Sequence, residues 1–278
     1  MNRTVTQEST ALQAGLTMVT IILLVILLVL PLAVVFSEAL MHGLTPAIES
    51  LVSDEAIDAI ELTLLVAAIS VPLNTACGLA AAWCTGRFTF PGRGLLITLI
   101  ELPFSVSPVI SGMVWVLLFG ANGWFGPALD RAGVRIIFAT PGLILATTFV
   151  TFPFVARTLI PLMEQLSSTE EEAALTLGAN GWQTFWRVTV PNVRWGLLYG
   201  ALLCNARTMG EFGAVSVVSG HIRGQTMTMP LQVEALFNDY DWVGAFTIAG
   251  LLSLLALLTL AVKAALAFRI SDRGRSLL

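Results

Sequence analysis

A chain of 278 residues with 56% apolar and only 12% charged residues cannot coat a water-facing surface, since soluble domains carry about 25% charged residues. With 14 Lys+Arg against 18 Asp+Glu and a net charge of −4, it offers no basic field to nucleic acid. The mean hydropathy of +0.85 excludes disordered, collagenous and ordinary soluble-enzyme classes, and a polytopic α-helical membrane protein is expected.

The first apolar run covers residues 15–36. At about 22 residues it is longer than a signal-peptide core and matches a bilayer span, so it reads as an uncleaved first helix. Pro31 lies inside it, which membrane helices tolerate. Residues 37–58 hold Glu38, Glu49, Asp54, Glu55 and Asp58 without Lys or Arg and are expected to form an external loop. The second run is 60–83, and Gly92-Arg93-Gly94 separates it from the third, 95–119. Pro103 and Pro108 interrupt that third run. A broken helix at membrane depth survives only where protein or a water-filled cavity covers it. Ser105, Ser107 and Ser111 therefore either line a pathway or bond their own backbone beside a proline kink. Turn-forming residues at 121–127 precede the fourth run, 141–162; the fifth is 196–218 and the sixth 243–268.

Six spans place both termini on one side. That side collects Arg3, Arg87, Arg93, Arg157, Arg187, Arg194, Lys263, Arg269, Arg273 and Arg275, against Arg131, Arg135 and Arg223 on the other. The positive-inside rule then predicts cytoplasmic termini.

Inside the fifth run Arg207 and Glu211 stand i, i+4, beside Thr208. Each charge costs about 2.5–3.5 kcal/mol at a helix centre, so the pair is expected to face the protein interior or a cavity. It serves either as a gate or anion-path element, or as an ion pair locking neighbouring helices.

Several chemistries lack their residues. Cys77, Cys84 and Cys204 show no CxxC spacing and are expected as buried thiols. His42 and His221 are far apart, so no metal or other cofactor is implied. No Gly-x-x-x-x-Gly-Lys-Ser/Thr occurs, so the chain cannot cradle ATP in a P-loop. Ser111-Gly112 lacks the upstream glycine of a nucleophile elbow and a histidine within a span, which disfavours an intramembrane protease. An ion-driven carrier would carry paired broken helices, and only the third run reads as broken.

The connection 167–191 is the most informative segment. Thr169 followed by Glu172 predicts a capping box and a helix start, with Glu170 and Glu171 suiting its dipole. Gly178 should end that helix. A second one should begin after Asn180, present Trp182, Phe185 and Trp186 on one face, and stop at Pro191. Two such helices form either a docking knob or a capped loop on the membrane surface.

Glu172-Ala173-Ala174, three residues, Gly178, nine residues, then Val188-Thr189-Val190-Pro191 resembles the EAA motif of type-1 bacterial ABC-importer permeases. Val188 and Val190 stand where that family prefers Ile and Leu. The resemblance implies an all-α membrane protein of six transmembrane helices with cytoplasmic coupling helices. Residues 58–265 would form the core, 1–57 an added first helix and loop, and 266–278 a cytoplasmic tail. Glu172, Ala173, Ala174 and Gly178 would couple the chain to an ATP-binding subunit.

The stretch 205–226, with Arg207, Gly210-Glu211-Phe212-Gly213 and Ile222-Arg223-Gly224, is similar to permeases of sulfate/thiosulfate importers, their W subunit in particular. Molybdate importers are near neighbours. This implies a non-enzymatic inner-membrane subunit set in lipid, without cofactor. Its partners would be two ATP-binding subunits, a second homologous permease chain and a periplasmic sulfate/thiosulfate-binding protein. Residues 225–237 read as a short periplasmic helix that touches such a binding protein or packs back on the bundle. Ser105, Ser107, Ser111, Arg207, Thr208 and Glu211 are the pathway candidates, suited to a weak polar path for a tetrahedral dianion. They do not discriminate sulfate from thiosulfate or molybdate.

Overall fold

The computed structural model describes residues 10–275, with side chains from 12 to 265. Arg3 and the side chains of Arg269, Arg273 and Arg275 lie outside the described residues, as does the end of the tail expected over 266–278. Every regular element among the described residues is a helix, the form in which a chain in lipid satisfies its own backbone.

Helix α1 (Thr10–Leu40) contains Pro31 without interruption. The expected external loop is largely helical: α1 runs to Leu40, and α2 (Leu44–Val52) follows the positive-φ Gly43. Ser53 then caps α3 (Asp54–Arg87) by accepting the Ala56 N–H at 3.4 Å, with Asp54 and Glu55 in its first turn. Next come α4 (Arg93–Ser105), α5 (Pro108–Phe119), the short α6 (Gly126–Arg131) and α7 (Thr140–Gln165). The remaining helices are α8 (Thr169–Thr176), α9 (Gly181–Thr184), α10 (Val190–Met209), α11 (Gly213–Ser219), α12 (Met229–Asn238) and α13 (Trp242–Arg275).

Among the described residues four helices, α1, α3, α7 and α13, are long and apolar enough to cross a membrane, and α4 with α5 adds a fifth if that pair, bent by 105°, is one span, against the six expected. The fifth apolar run of the sequence is not one helix. It stops at Met209 and restarts at Gly213 as α11. The expectation of a single broken helix is therefore corrected to two. Gly210 ends α10 cheaply, and the Glu211 carboxylate accepts the Ala214 N–H at 3.1 Å, which favours a fresh helix start.

The bundle is organised around α3 against α7. Gly78, Ala82 and Gly86 recur every four residues along α3, a small-residue stripe that lets two membrane helices approach closely. A Cβ at Gly78 would stand 2.8 Å from Val155 Cβ, and one at Gly86 2.8 Å from Met163 Cβ. Around this seam Leu79, Val155, Leu159, Met163, Phe185, Val193 and Cys204 form one buried cluster. A second joins Leu62, Val66, Leu143, Val150, Val215, Val218 and Leu231 towards the opposite end.

Of the three thiols only Cys204 is buried; Cys84 is half-buried and Cys77 exposed. The reading of all three as buried fails because an apolar helix face here can meet lipid instead of protein.

The two ends differ in charge. One end carries the 88–92 turn and α8–α9 with Arg87, Arg93 and Arg187, and is called the basic end below. The acidic end carries α2, α6 and α12, with Glu49, Asp54, Glu55, Asp58, Glu234, Asp239 and Asp241. There Arg223 pairs with Glu55 at 3.6 Å and with Asp239. Helix α12 begins inside the 225–237 expected for it, ends one residue beyond at Asn238, and packs back: Met229 and Leu231 are fully buried, and Met229 N–H donates to Thr63 Oγ1 at 2.8 Å.

Candidate functional site

The basic end projects a knob built from α8, α9 and a π-helical turn, Phe185–Thr189. Helix α8 has no buried residue. Its start lies one residue earlier than the motif suggests. Ser168, not Thr169, holds the N-cap position, and its hydroxyl donates to Glu172 Oε1 at 2.5 Å rather than bonding a backbone amide. The capping box predicted there is absent because the Glu172 carboxylate is taken by that hydroxyl.

Gly178 ends the helix as expected. Its φ is +90°, Gly178 N–H donates to Leu175 O at 3.0 Å, and Ala179 N–H to Ala174 O at 3.0 Å. This is the paired-bond C-terminal cap that needs a left-handed residue. Asn180 then forms a true capping box with Gln183, with bonds of 2.8 and 3.0 Å.

The aromatic face divides. Trp182, Phe185 and Trp186 cluster with ring centroids 5.2–5.9 Å apart. Phe185 nevertheless turns inward, 4.6 Å from the Trp83 ring, while Trp182 and Trp186 are 67% and 50% exposed. Leu175 and Leu177 are exposed beside them. Pro191 does not stop the helix. The π turn, closed by Val190 N–H to Phe185 O, leads directly into α10 with Pro191 in its first turn. A first-turn proline lacks only an amide that has no partner to lose, and the wider turn before it makes room for the ring.

The second constellation lies where the two broken helices meet. A Cβ at Gly112 would stand 2.7 Å from Ala214 O, and one at Gly213 2.9 Å from Pro108 Cβ. The first turns of α5 and α11 thus touch through glycines. Arg207 pairs with Glu211 at 2.8 Å, the arginine side chain 34% exposed and the glutamate 1%. One member of the pair is thus deeply buried while the other reaches the surface. The Ser111 hydroxyl is buried with no partner among the described residues. Ser105 is exposed and donates to Leu102 O at 2.9 Å, and Ser107 is exposed at the N-cap of α5. Thr208 points elsewhere, into the α3–α7–α10 seam, 3.5 Å from Thr151 Oγ1.

Residues 74–272 match the family of binding-protein-dependent transport system inner membrane components. The chain belongs to this family of transport permeases. The permease is 50% identical over 249 residues to the sulfate transport system permease protein CysW of Escherichia coli K12, covering 90% of this chain and 86% of that one. Its identity to the CysW of Synechocystis is 52% over 240 residues, covering 86% and 87%. The E. coli K12 sulfate permease protein CysT is 33% identical, covering 84% and 85%. The fold matches a chain of a bacterial alginate ABC transporter, solved with its alginate-bound periplasmic protein, at a TM-score of 0.76 and 18% identity, covering 93% and 94%.

Three features of the permease have no single-residue signal in its sequence. Glu171 ties the knob to the bundle: it lies 3.2 Å from Arg87 Nε at the end of α3 and accepts the Thr189 hydroxyl at 2.7 Å. Arg87 also donates to Leu166 O at 2.9 Å, at the mouth of the knob. Inside the bundle, Asn74 donates to Thr151 Oγ1 at 2.8 Å and approaches Cys204 Sγ at 3.6 Å. An excess of polar residues within spans was the available signal, but which of them meet is decided by packing.

Proposed function

We propose that the permease is the translocation subunit of an ATP-driven importer of sulfate or thiosulfate. Its basic end faces the cytoplasm with both termini, as the positive-inside rule favours. A separate ATP-binding subunit grips the knob, a second homologous permease chain completes the pathway, and a periplasmic binding protein delivers the anion at the acidic end. The carrying observation is α8: a helix with no buried residue, bearing Glu172, Ala173 and Ala174, capped by Gly178 and flanked by exposed Leu175, Leu177, Trp182 and Trp186. Contiguous apolar surface of this kind on a water-facing knob calls for a protein partner. About half identity to CysW proteins over most of both chains supports the substrate class.

In this reading Glu172, Ala173, Ala174 and Gly178 receive the stroke of the ATPase, and α10, continuous with the knob through the π turn, carries it to the Arg207–Glu211 junction. Ser105, Ser107, Ser111, Arg207 and Glu211 form a weak polar path, and Thr208 braces its wall. Hydroxyls and one half-open arginine suit an anion that must leave as readily as it enters. Hydrolysis itself belongs to the partner, because no P-loop sequence is present in this chain.

The test is a mild-detergent pull-down of the tagged chain from its own membranes, with uptake of labelled sulfate. Recovery of a P-loop ATPase and a second permease, with uptake competed by thiosulfate, is the expected result. Absent uptake of labelled sulfate, with uptake of labelled molybdate in its place, would reassign the anion. The chain recovered alone, with uptake running on an ion gradient, would refute the importer reading in favour of a secondary carrier.

A further inference from the structure

Two cations, Arg194 near the start of α10 and Lys263 at the α10–α13 seam, have no carboxylate partner. Arg194 and Lys263 form no ion pair among the described residues, unlike Arg87, Arg93, Arg207 and Arg223 but like Arg131, Arg135, Arg157 and Arg187. Each lies instead on an aromatic ring: Arg194 Cζ is 5.3 Å from the Trp195 centroid and Lys263 Nζ 4.7 Å from that of Tyr199. Trp195 and Tyr199 are four residues apart on α10, so they share a face one turn apart. The ladder so formed is two cation–ring pairs, one turn apart along α10, with no contact between the rings. Tyr199 is exposed, and its phenol has no hydrogen-bond partner among the described residues.

The depth of the ladder follows from helix geometry. Trp242 opens α13 beside Phe237 and Tyr240, an aromatic girdle at the acidic end. Lys263 lies 21 residues further along, a rise of about 32 Å against a hydrocarbon core of about 30 Å. The ladder therefore sits at the other interface, at headgroup level. Leu254, Leu257 and Leu258 are exposed on α13 on the hydrocarbon side of it.

We propose that this seam binds the phosphate of an anionic phospholipid. Arg194 and Lys263 neutralise it, the Tyr199 phenol donates to it, and the exposed leucines of α13 carry the acyl chains. Stacking on Trp195 and Tyr199 holds both cations in place before the lipid arrives. At this depth a lipid phosphate is the anion present at the highest local concentration, and basic seams between spans are suited to it.

The test uses the purified full-length chain with phosphatidylglycerol or phosphatidylcholine as probe. Retained lipid is counted by native mass spectrometry, and melting is followed on adding each lipid. Wild type should retain phosphatidylglycerol in preference and melt higher with it. Arg194→Gln with Lys263→Gln should lower retention about fivefold or more. Arg194→Lys with Lys263→Arg should restore most of it, and Arg187→Gln, an exposed cation off the seam, should change nothing. Equal retention of the two lipids by wild type overturns the proposal whatever the variants do. So does full retention in the double Gln variant, or displacement of the lipid by millimolar inorganic phosphate, which would make the site one for free anion.

Discussion

Gly178→Ala and Gly181→Ala form a matched pair within the knob. At both positions an added Cβ meets nothing within 4 Å, but only Gly178 has a positive φ, +90°. Alanine at 178 therefore suffers no clash and bears only the left-handed backbone cost, about 1–2 kcal/mol. Alanine at 181, the first residue of α9, removes a flexible glycine and should stabilise by up to about 1 kcal/mol. The cost at 178 falls on α8, whose eight residues include none that is buried. Its C-terminus is closed by the Gly178–Leu175 and Ala179–Ala174 bonds. A short helix of this kind has little other support. A penalty of 1–2 kcal/mol should speed amide exchange across α8 about 5- to 30-fold. Exchange measured by mass spectrometry on the purified chain reads this directly, and uptake per ATP hydrolysed in the assembled transporter should fall with it. Gly181→Ala should leave exchange unchanged or slower. Equal effects at the two positions, or none at 178, would refute the argument that backbone conformation fixes glycine there.

The Glu171–Arg87 tie, with both side chains largely buried, should behave as a unit. Glu171→Gln or Arg87→Gln should each destabilise the knob by about 1–3 kcal/mol and uncouple hydrolysis from uptake, and the reciprocal charge swap should recover part of the coupling; independent, additive losses would count against the tie. At the helix breaks, Glu211→Gln keeps an acceptor for the Ala214 amide but removes the charge. We expect normal insertion, melting lowered by no more than in the Glu171→Gln variant, and uptake per inserted chain reduced about tenfold or more; unchanged uptake would reduce the Arg207–Glu211 pair to architecture. On the α3–α7 seam, Gly78→Ala places a methyl 2.8 Å from Val155 Cβ, while Gly200→Ala, on α10 against the same Val155, meets its nearest neighbour at 3.3 Å. Thermal melting in detergent should show a loss of about 1–3 kcal/mol for the first and less for the second, and the reverse order would contradict the close approach of these helices.

Composition and pattern made much of this protein legible. Lipid demands long apolar helices, so the hydropathy of α1, α3, α7 and α13 reports them directly. The knob was legible because caps are local: Gly178 and Asn180 act on backbone groups within a few residues. Where a local signal was ambiguous the assignment slipped, as with Ser168 taking the cap position expected of Thr169 and Pro191 entering α10 instead of ending a helix. The broken third run announced itself through two prolines. The second break did not, because a glycine and a glutamate inside an apolar stretch are compatible with an unbroken helix until their partners are known.

The sequence by itself determined that this is an all-α membrane protein, where the four long apolar helices α1, α3, α7 and α13 lie, and that one polar connection carries a short helix ended by a glycine. Those properties depend on residue type and on neighbours within a turn or two. Only the tertiary structure decided that the breaks after Ser105 and Met209 face each other through Gly112 and Gly213. The same holds for Phe185 turning inward to Trp83 while its neighbours stay exposed, and for Glu171 reaching across to Arg87. These contacts join residues tens to more than a hundred positions apart. In a membrane protein, whose lipid-facing and protein-facing surfaces are equally apolar, hydrophobicity does not say which face meets which.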